Sequence, residues 1–227
     1  MQCINKKFTA TLYCNVHGVP SQMVLLTIRN IGLDIELRYI DLFKGEQNTP
    51  NFLKINPLHQ IPVLHVAEDN YVVTESRAIM LYLANVTKSS FYPIELKKRS
   101  MIDSRLFYDA TTAYPAVKQF VHQILRVGVK RLPNEVRENI EIVLSTLDSM
   151  LINSDWFAGD ELTLADFAFL PSVESIKCWG ADFKNYPRLN KWYERCKPLP
   201  GFQENHEGAK KLADKLAKMI DEPLWKV

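Results

Sequence analysis

The chain changes its pattern near residue 90, and this change limits the architectures that it can adopt. Before that point, short β-rich runs alternate with amphipathic stretches in the order strand, helix, strand, helix, strand, strand, helix. Beyond it, apolar residues recur every three or four positions almost to the end, which is typical of helices packed on a core. The sequence therefore predicts an α/β unit at 1–88, a linker at 89–94 and an all-α unit at 95–227.

Local signals in the first unit support this division. The run from Phe8 to Cys14 is short and rich in β-forming residues. Pro20 then opens a helical stretch, because proline in a first helical turn forfeits no hydrogen bond. Gly32 is a suitable end for that helix, since glycine readily adopts the left-handed conformation of a C-cap.

The second unit carries helix signals of its own. A long helix is predicted from about Glu95 to Val127, with a kink at Pro115, because a proline inside a helix removes one backbone hydrogen bond. An amphipathic helix is predicted from Asn134. Thr163 and Asp166 form a capping-box pattern that begins another helix. Two further helices are predicted near 187–197 and 207–221.

Composition excludes several classes of function. The 227 residues carry a net charge of +2 without a basic cluster, which argues against nucleic acid as a partner. The four cysteines form no CxxC pair and no metal-ligand spacing, so no metal is expected. No apolar run is long enough to span a membrane, and the N-terminus lacks a signal-peptide core. These features predict a protein of the reducing cytoplasm.

The first informative stretch is the segment NPLHQIP at 56–62. Pro62 has no N–H to pair and stands at the start of a predicted strand. If its peptide bond is cis, the turn exposes the backbone N–H and C=O of Ile61, which can then pair with a bound peptide as an added strand. An ordinary edge-strand proline is the alternative interpretation.

The second stretch begins a predicted helix with Glu75, Ser76 and Arg77. The unpaired N–H groups and the dipole of a helix N-terminus attract a carboxylate, and Glu75 can pair with an ammonium group. A simple N-cap is the alternative interpretation, and it is the better supported one when the tripeptide is taken alone. Together the two stretches suit a small zwitterionic peptide, because one offers backbone pairing and the other offers an anion site beside a carboxylate.

At this point the sequence resembles a known family, the cytosolic glutathione transferases, and most closely their insect delta and epsilon classes. The resemblance covers nearly the whole chain, as that of a divergent or unclassified member. It is carried by the segments LTIRNIGLDIELRYIDLFKGE, FLKINPLHQIPVL, ESRAIMLYLA, FYP, SRLFYDATTAY, LTLADF and YPRLNKWYERCKPLPGF. It implies a thioredoxin-like N-terminal domain, an all-helical C-terminal domain, glutathione as cosubstrate and a homodimer.

The resemblance also implies roles for individual residues. His59 and the Ile61 backbone would hold the cysteinyl-glycine part of glutathione, beside Pro62. Glu75 and Ser76 would bind the γ-glutamyl amino and carboxylate groups, with Arg77 in support. Asp103 matches an acid that would reach the glutathione of the partner subunit. Gln47 stands where many delta members carry histidine, and it would offer hydrogen bonds to glutathione without a charge.

One position departs from the family. The delta and epsilon classes carry a serine before the first helix that donates a hydrogen bond to the glutathione sulfur, and the matching residue here is Gly18. The substitutes are backbone N–H groups near Val19, or a side chain of the same loop, for which the candidates are Asn15, His17 and Ser21. Helix capping is the alternative role of Ser21, and an exposed loop histidine that of His17.

The resemblance places an apolar acceptor pocket on the kinked helix and the C-terminal helix. Four residues of the kinked helix have the spacing of one face. A core or dimer-interface role for that face is the alternative. The candidate pocket residues are Tyr108, Tyr114, Val117, Lys118, Val121 and Leu216.

Four functions therefore compete at the level of sequence. The first is an enzyme that conjugates glutathione to apolar electrophiles, in detoxification or endogenous metabolism. The second is a protein that binds glutathione and hydrophobic ligands with weak or no transferase activity. The third is a thiol-disulfide reductase that uses Cys14, for which a buried core thiol is the alternative. The fourth is a structural role without glutathione.

Overall fold

A computed structural model describes residues 8–68 and 70–225, and Cys3 lies outside them. The first unit follows the predicted order of strands and helices. Its elements are β1 (Ala10–Cys14), α1 (Val19–Ile31), β2 (Glu36–Tyr39), α2 (Pro50–Leu53), β3 (Val63–Val66), β4 (Tyr71–Thr74) and α3 (Ser76–Val86). The sheet has the order β2-β1-β3-β4, with β1 and β2 parallel and the other pairs antiparallel. This mixed sheet is the predicted thioredoxin-like arrangement.

The first helix is bounded as its sequence predicts. Gly18 is its N-cap and Pro20 lies in its first turn. Gly32 ends it with φ of +76°, in the left-handed region where glycine meets no steric penalty. The buried side chains of α1 pack on the sheet, on α3 and on the helical unit, so this helix connects both parts of the core.

The second unit is helical, as predicted. Its helices are α4 (Leu96–Tyr108), α5 (Tyr114–His122), α6 (Asn134–Met150), α7 (Leu164–Cys178), α8 (Pro187–Cys196) and α9 (Phe202–Ala217). The last helix begins before the predicted residue 207, because Phe202 and Asn205 are buried and belong to its core-facing side. It starts directly after Gly201, whose φ of +86° turns the chain into the helix.

The predicted long helix is present, and its departures from regular α-helical geometry occupy two π-helical segments. Helices α4 and α5 are joined by a π-helical segment at Asp109–Ala113, and a second one at Gln123–Val127 ends the run. The first segment lies immediately before Pro115, which lacks the N–H that a regular α-helix would use there. A π-bulge is a common way to accommodate such a missing bond, and it often occurs at functional sites.

Helix α7 forms the centre of the second unit. The capping box predicted at its start is present. The Thr163 side chain accepts a hydrogen bond from the backbone of the first turn, and the Asp166 carboxylate accepts one from the Thr163 N–H. The Asp166 carboxylate also accepts from the Phe157 N–H at 3.0 Å and from the Trp192 Nε1–H at 2.9 Å. Burial raises the pKa of Asp166 to about 6. This carboxylate therefore fixes three separate segments around α7.

The two units share one continuous core. Helix α3 ends at Val86 and α4 begins at Leu96, so the predicted linker at 89–94 falls between them. Helix α1 packs against both α7 and α9. Within the described residues, no helix combines the length and the apolar character that crossing a membrane requires.

Candidate active site

A cavity of about 590 Å³ lies between the loops at the end of the sheet and the kinked helix of the second unit. It brings together most of the residues that the sequence assigned to glutathione. The predicted residues in its lining are Gln47, His59, Ile61, Pro62, Glu75, Ser76, Arg77, Tyr114 and Lys118, and the lining also contains Pro20, Leu42, Asn56, Gln60, Thr74 and Arg126.

The loop before β3 forms one wall of the cavity. The Ile61–Pro62 peptide bond is cis, which is the first of the two interpretations that the sequence allowed. Asn56 is almost fully buried and holds the loop from within, since its Nδ2 donates to the Gln60 carbonyl at 2.8 Å and its Oδ1 accepts from the Leu58 N–H at 3.1 Å. The backbone of Ile61 is thus held at the rim of the cavity by an internal side chain.

Two side chains extend this wall. His59 has φ of +57°, and its Nδ1 lies 3.1 Å from Asn48 Oδ1. The Oε1 atom of Gln47 is buried and has no hydrogen-bond partner among residues 8–68 and 70–225. A buried acceptor without a donor costs free energy, so a ligand N–H at this position would be stabilising.

The N-terminus of α3 forms the opposite wall. Glu75 is its N-cap, with φ of +67° and no hydrogen bond from the side chain to the helix. Such positive φ values cost on the order of 1–3 kcal/mol in residues other than glycine and recur at ligand sites. Because the Glu75 side chain is exposed and makes no hydrogen bond to the start of the helix, its carboxylate can pair with a cation in the cavity.

Ser76 and Arg77 form a connected polar group behind Glu75. Ser76 is 1% exposed, and its Oγ accepts from Arg77 Nη1 at 3.2 Å. Arg77 Nε donates to Asp109 Oδ2 at 2.9 Å, Nη2 contacts the same oxygen, and the guanidinium lies over the Tyr114 ring. Arg77 thus connects the start of α3 to the first π-helical segment.

Asp109 supports the site from behind the cavity wall, and the sequence predicts no role for it. Its carboxylate is fully buried, which raises its pKa to about 6, while the Arg77 guanidinium acts in the opposite direction. The sequence places Asp109 in the segment SRLFYDATTAY, one of those that resemble the family. Nothing in that segment shows that its acid turns inward, because this orientation follows from the π-helical turn.

The loop before α1 contains the candidates for activating the thiol. Asn15 and Ser21 are buried and stabilise the loop itself: the Asn15 N–H donates to Ser21 Oγ at 3.1 Å, and Asn15 Oδ1 accepts from the His17 N–H at 2.7 Å. No side chain caps α1, so Ser21 does not have the alternative capping role. None of these three residues lines the cavity, although Pro20 does.

The His17 ring contacts the last helix. Its Nδ1 lies 3.4 Å from the carbonyl oxygen of Gly208 on α9. Gly208 approaches the same loop so closely that an added Cβ would lie 1.9 Å from the Val16 carbonyl oxygen. The loop before α1 is therefore packed directly against α9.

Cys14 is a core thiol, as one of the two interpretations of this residue expected. It is 0% exposed, and burial raises its pKa to about 12. A thiol needs its deprotonated form to attack a disulfide. The position therefore does not suit a thiol-disulfide reductase.

The predicted acceptor residues separate into two groups. Tyr114 and Lys118 line the cavity, and Arg126 joins them from the second π-helical segment. Val117 and Leu216 lie in the core with 1% and 0% of their surface exposed, so they offer no surface to a substrate in this structure. Tyr108 and Val121 are partly buried against the same core. The core interpretation of this helix face therefore holds for part of it.

Asp103 lies on α4 outside the cavity lining. Its Oδ1 accepts a hydrogen bond from the Tyr92 hydroxyl at 2.8 Å. Burial and this carboxylate raise the pKa of Tyr92 to about 12.

Comparison with known proteins identifies the class to which this fold and cavity belong. Residues 9–85 match the family model described as "Glutathione S-transferase, N-terminal domain", and residues 112–200 match its C-terminal counterpart. A Drosophila melanogaster protein, Glutathione S-transferase D6, is 33% identical over 195 residues, which cover 84% of this chain and 89% of that protein.

Solved structures agree with this match. Glutathione S-transferase unclassified 2 from Bombyx mori is 34% identical, with a TM-score of 0.88 over 94% of this chain and 99% of that one. A glutathione transferase homolog from Drosophila mojavensis, solved with bound glutathione, is 26% identical, with a TM-score of 0.88 over 94% and 98% of the two chains. The chain therefore belongs to the glutathione S-transferase family, and its relatives include insect delta and epsilon members.

Proposed function

We propose that this protein is an enzyme that binds glutathione in the described cavity and transfers its sulfur to an electrophilic, mainly apolar compound. One observation carries the proposal. The N-terminus of α3, with Glu75 beside it, lies across a single cavity from the Gln47 amide and the loop at 56–62. This arrangement offers groups for both ends of a zwitterionic tripeptide.

The proposed binding mode follows from the charges of the cavity. The γ-glutamyl carboxylate binds at the N-terminus of α3, where the Ser76 N–H, the helix dipole and Arg77 favour an anion. The γ-glutamyl ammonium pairs with the Glu75 carboxylate. The backbone of Ile61 pairs with the cysteinyl residue, and the polar side chains of His59 and Gln47 bind the glycyl end.

Activation of the thiol is proposed to rest on the backbone at the start of α1. Gly18 caps this helix without a side-chain hydrogen bond, so the positive end of the helix dipole is not screened by a capping side chain. A thiolate placed beside Val19 and Pro20 is stabilised there relative to the thiol. Its sulfur then attacks the electrophilic carbon, a C–S bond forms, the leaving group departs with its electron pair, and the thiol proton goes to solvent.

The acceptor is proposed to bind beside Tyr114, where the cavity continues past Pro20 and Leu42. These side chains supply apolar and aromatic surface. Lys118 and Arg126 add two cations from the helical unit, so an aromatic electrophile that also carries an anionic group is bound more tightly than its neutral analogue. Detoxification and metabolism of endogenous compounds both fit such a substrate.

A homodimer in the cytoplasm completes the proposal. Three large apolar side chains of α4 are exposed in the single chain: Leu96 is 82%, Met101 43% and Phe107 70% exposed. Leu96 and Phe107 lie about three turns apart on the same face of α4, and exposed apolar side chains on one helix face suit a protein–protein interface. The three cysteines within the described part of the chain are free thiols, which suits a reducing compartment.

The experiment that tests the proposal combines binding and turnover. Calorimetric titration with glutathione is expected to show that Ser76→Ala or Glu75→Ala weakens binding by more than about tenfold, or 1.4 kcal/mol. Ser145→Ala, on the exposed side of α6, is the matched control and should bind as the unchanged protein does. Equal affinities in all variants would show that glutathione binds elsewhere.

Turnover distinguishes the enzyme from its alternative. The unchanged protein is expected to conjugate glutathione to a general aromatic electrophile at a rate proportional to enzyme concentration. Binding without turnover would instead identify a glutathione-binding carrier of hydrophobic ligands. Light scattering on the same sample checks the dimer, and a monomer at micromolar concentration would remove that part of the proposal.

A further inference from the structure

A cluster of side chains with metal-ligating atoms lies outside the glutathione cavity, between α7 and α9. Glu174 and Cys178 are one helical turn apart on α7, and His206 faces them from α9. Glu174 Oε1 lies 2.8 Å from His206 Nδ1 and 3.3 Å from Cys178 Sγ, and Cys178 Sγ lies 4.0 Å from His206 Nδ1. Across residues 8–68 and 70–225, these are the three side chains that converge with metal-ligating atoms.

The distances are close to those of a metal-binding site. Bond lengths to zinc are about 2.3 Å for sulfur and about 2.0–2.2 Å for nitrogen and oxygen, so tetrahedral ligands lie roughly 3.3–3.6 Å apart. The observed separations lie on both sides of this range. Movements of about half an ångström in the three side chains would therefore place all three atoms around one ion, without a change in the backbone.

The carboxylate is already oriented for this role. Glu174 is 0% exposed, and its Oε2 accepts a hydrogen bond from the Tyr193 hydroxyl at 2.8 Å. This bond leaves Oε1 directed at Cys178 and His206. Metal-ligating carboxylates are commonly held by such an outer hydrogen bond, which fixes the orientation of the ligand.

Charge and access also suit a divalent ion. A buried carboxylate requires a compensating partner, and a carboxylate together with a thiolate would neutralise a charge of +2. The His206 side chain is 39% exposed, so an ion can enter from solvent and a water molecule can complete its coordination. Thiolate and imidazole ligands favour zinc over magnesium or calcium.

We propose that Glu174, Cys178 and His206 form a binding site for a zinc-type divalent transition-metal ion. On binding, the Cys178 thiol releases to solvent the proton that it now donates to Glu174, and the thiolate sulfur bonds to the metal. The proton between His206 Nδ1 and Glu174 leaves to solvent as well, so that neutral imidazole, protonated on Nε2, binds the ion through Nδ1. The ion would link α7 to α9 two residues from Gly208, which packs on the loop before α1. The site is therefore expected to stabilise the contact between the last helix and that loop.

Cobalt is the probe that tests this proposal most directly. Reduced, chelator-treated protein without an affinity tag is titrated with Co²⁺, and a thiolate-to-cobalt charge-transfer band is expected to saturate at one ion per chain. Zn²⁺ should then displace the cobalt and abolish the band. The band should be absent in Cys178→Ser, and Co²⁺ affinity should fall by at least about tenfold in His206→Ala.

Two further variants separate the site from unrelated binding. Tyr193→Phe removes only the hydrogen bond to Oε2 and is expected to weaken Co²⁺ binding by about tenfold, as loss of an outer-shell partner does. His122→Ala removes an exposed histidine on α5 and should change nothing. If Cys178→Ser does not fold, the His206→Ala variant still tests the site, because the His206 side chain is 39% exposed and its removal should leave the core intact.

The opposite results would overturn the proposal. An unchanged charge-transfer band in Cys178→Ser would assign the sulfur ligand to another cysteine. Equal Co²⁺ affinities in His206→Ala and His122→Ala would reduce the cluster to a hydrogen bond between His206 and Glu174. Because glutathione binding and turnover are measured separately, neither result depends on the proposed transferase activity.

Discussion

Replacing Gly18 by serine gives the sharpest test of how the thiol is activated. Gly18 has φ of −91° and ψ of 124°, which lie in the β region that every residue can adopt. An added Cβ meets no atom within 4 Å. Serine is also a favourable N-cap, so the substitution should leave the folding of α1 intact. The new hydroxyl would stand where α1 begins, next to the proposed position of the sulfur.

The expected size of the effect follows from the charge of the thiolate. A hydrogen bond to a charged group contributes about 1.5–3 kcal/mol, and 1.36 kcal/mol corresponds to one pKa unit. As an N-cap, the serine oxygen also accepts hydrogen bonds from the N–H groups of α1, which are then less available to the thiolate. We therefore take the lower part of this range. The pKa of enzyme-bound glutathione is then expected to fall by about one unit, and the rate below that pKa to rise by about tenfold.

The assay is the pH dependence of kcat/KM with an aromatic electrophile, together with the ultraviolet absorbance of bound thiolate. Gly18→Ala is the matched control, because it adds the same Cβ without a hydroxyl and should keep the original pKa. If the Ser and Ala variants share one pKa and one rate, the sulfur does not lie at the start of α1. Activation would then have to come from another group, with His17 next to be tested.

Four further predictions concern the surroundings of the site and the core. Asp109→Asn should weaken glutathione binding severalfold by releasing Arg77. In the unchanged protein, the affinity for glutathione should decline as pH falls through about 6, where Asp109 becomes protonated. If the same decline persists in Asp109→Asn, the pH dependence belongs to another group. Thr163→Ala should lower the free energy of unfolding by about 1 kcal/mol in urea denaturation, because it removes half of the capping box, and a loss below 0.3 kcal/mol would contradict this. Burial raises the folded-state pKa of Asp166 to about 6, above the unfolded value near 3.9, so the folded state binds the extra proton between these values. The contribution of this group to the free energy of unfolding should therefore fall as pH rises from about 4 to 6 and level off above, a slope that Asp166→Asn should lack. Lys118→Ala should raise KM for a carboxylated aromatic electrophile more than for its methyl ester, and equal changes would remove the proposed anion preference.

Local signals in the sequence were sufficient for much of the fold. Pro20 and Gly32 bound α1 because their backbone preferences act within one turn. The capping box at Thr163 and Asp166 is likewise a contact across three residues, so its pattern can be read directly. The two stretches that form opposite walls of the cavity were also found, since each has a chemical meaning of its own.

The sequence did not show which residues of the kinked helix line the cavity and which lie in the core. Tyr114, Val117 and Lys118 have the spacing of one face, yet Val117 is buried in the core while the other two line the cavity. All three residues belong to the regular helix α5, where Val117 lies about 60° round the helix axis from Tyr114 and about 100° from Lys118. The boundary between core and cavity therefore crosses this face, and the spacing alone does not show where it runs. Leu216 was similarly placed in the core by the packing of α9.

The sequence by itself determined the order of elements, most helix boundaries and the residue types that recognise a zwitterionic peptide, because these depend on contacts within a few residues. Only the tertiary structure decided that Asp109 holds Arg77, that Asn15 and Ser21 support the loop backbone, and that Glu174, Cys178 and His206 meet. The Arg77–Asp109 and Glu174–His206 contacts join residues 32 positions apart and depend on the packing angles of helices, which no local pattern encodes. The Asn15–Ser21 contact spans only six residues, but it depends on the irregular path of the loop between β1 and α1.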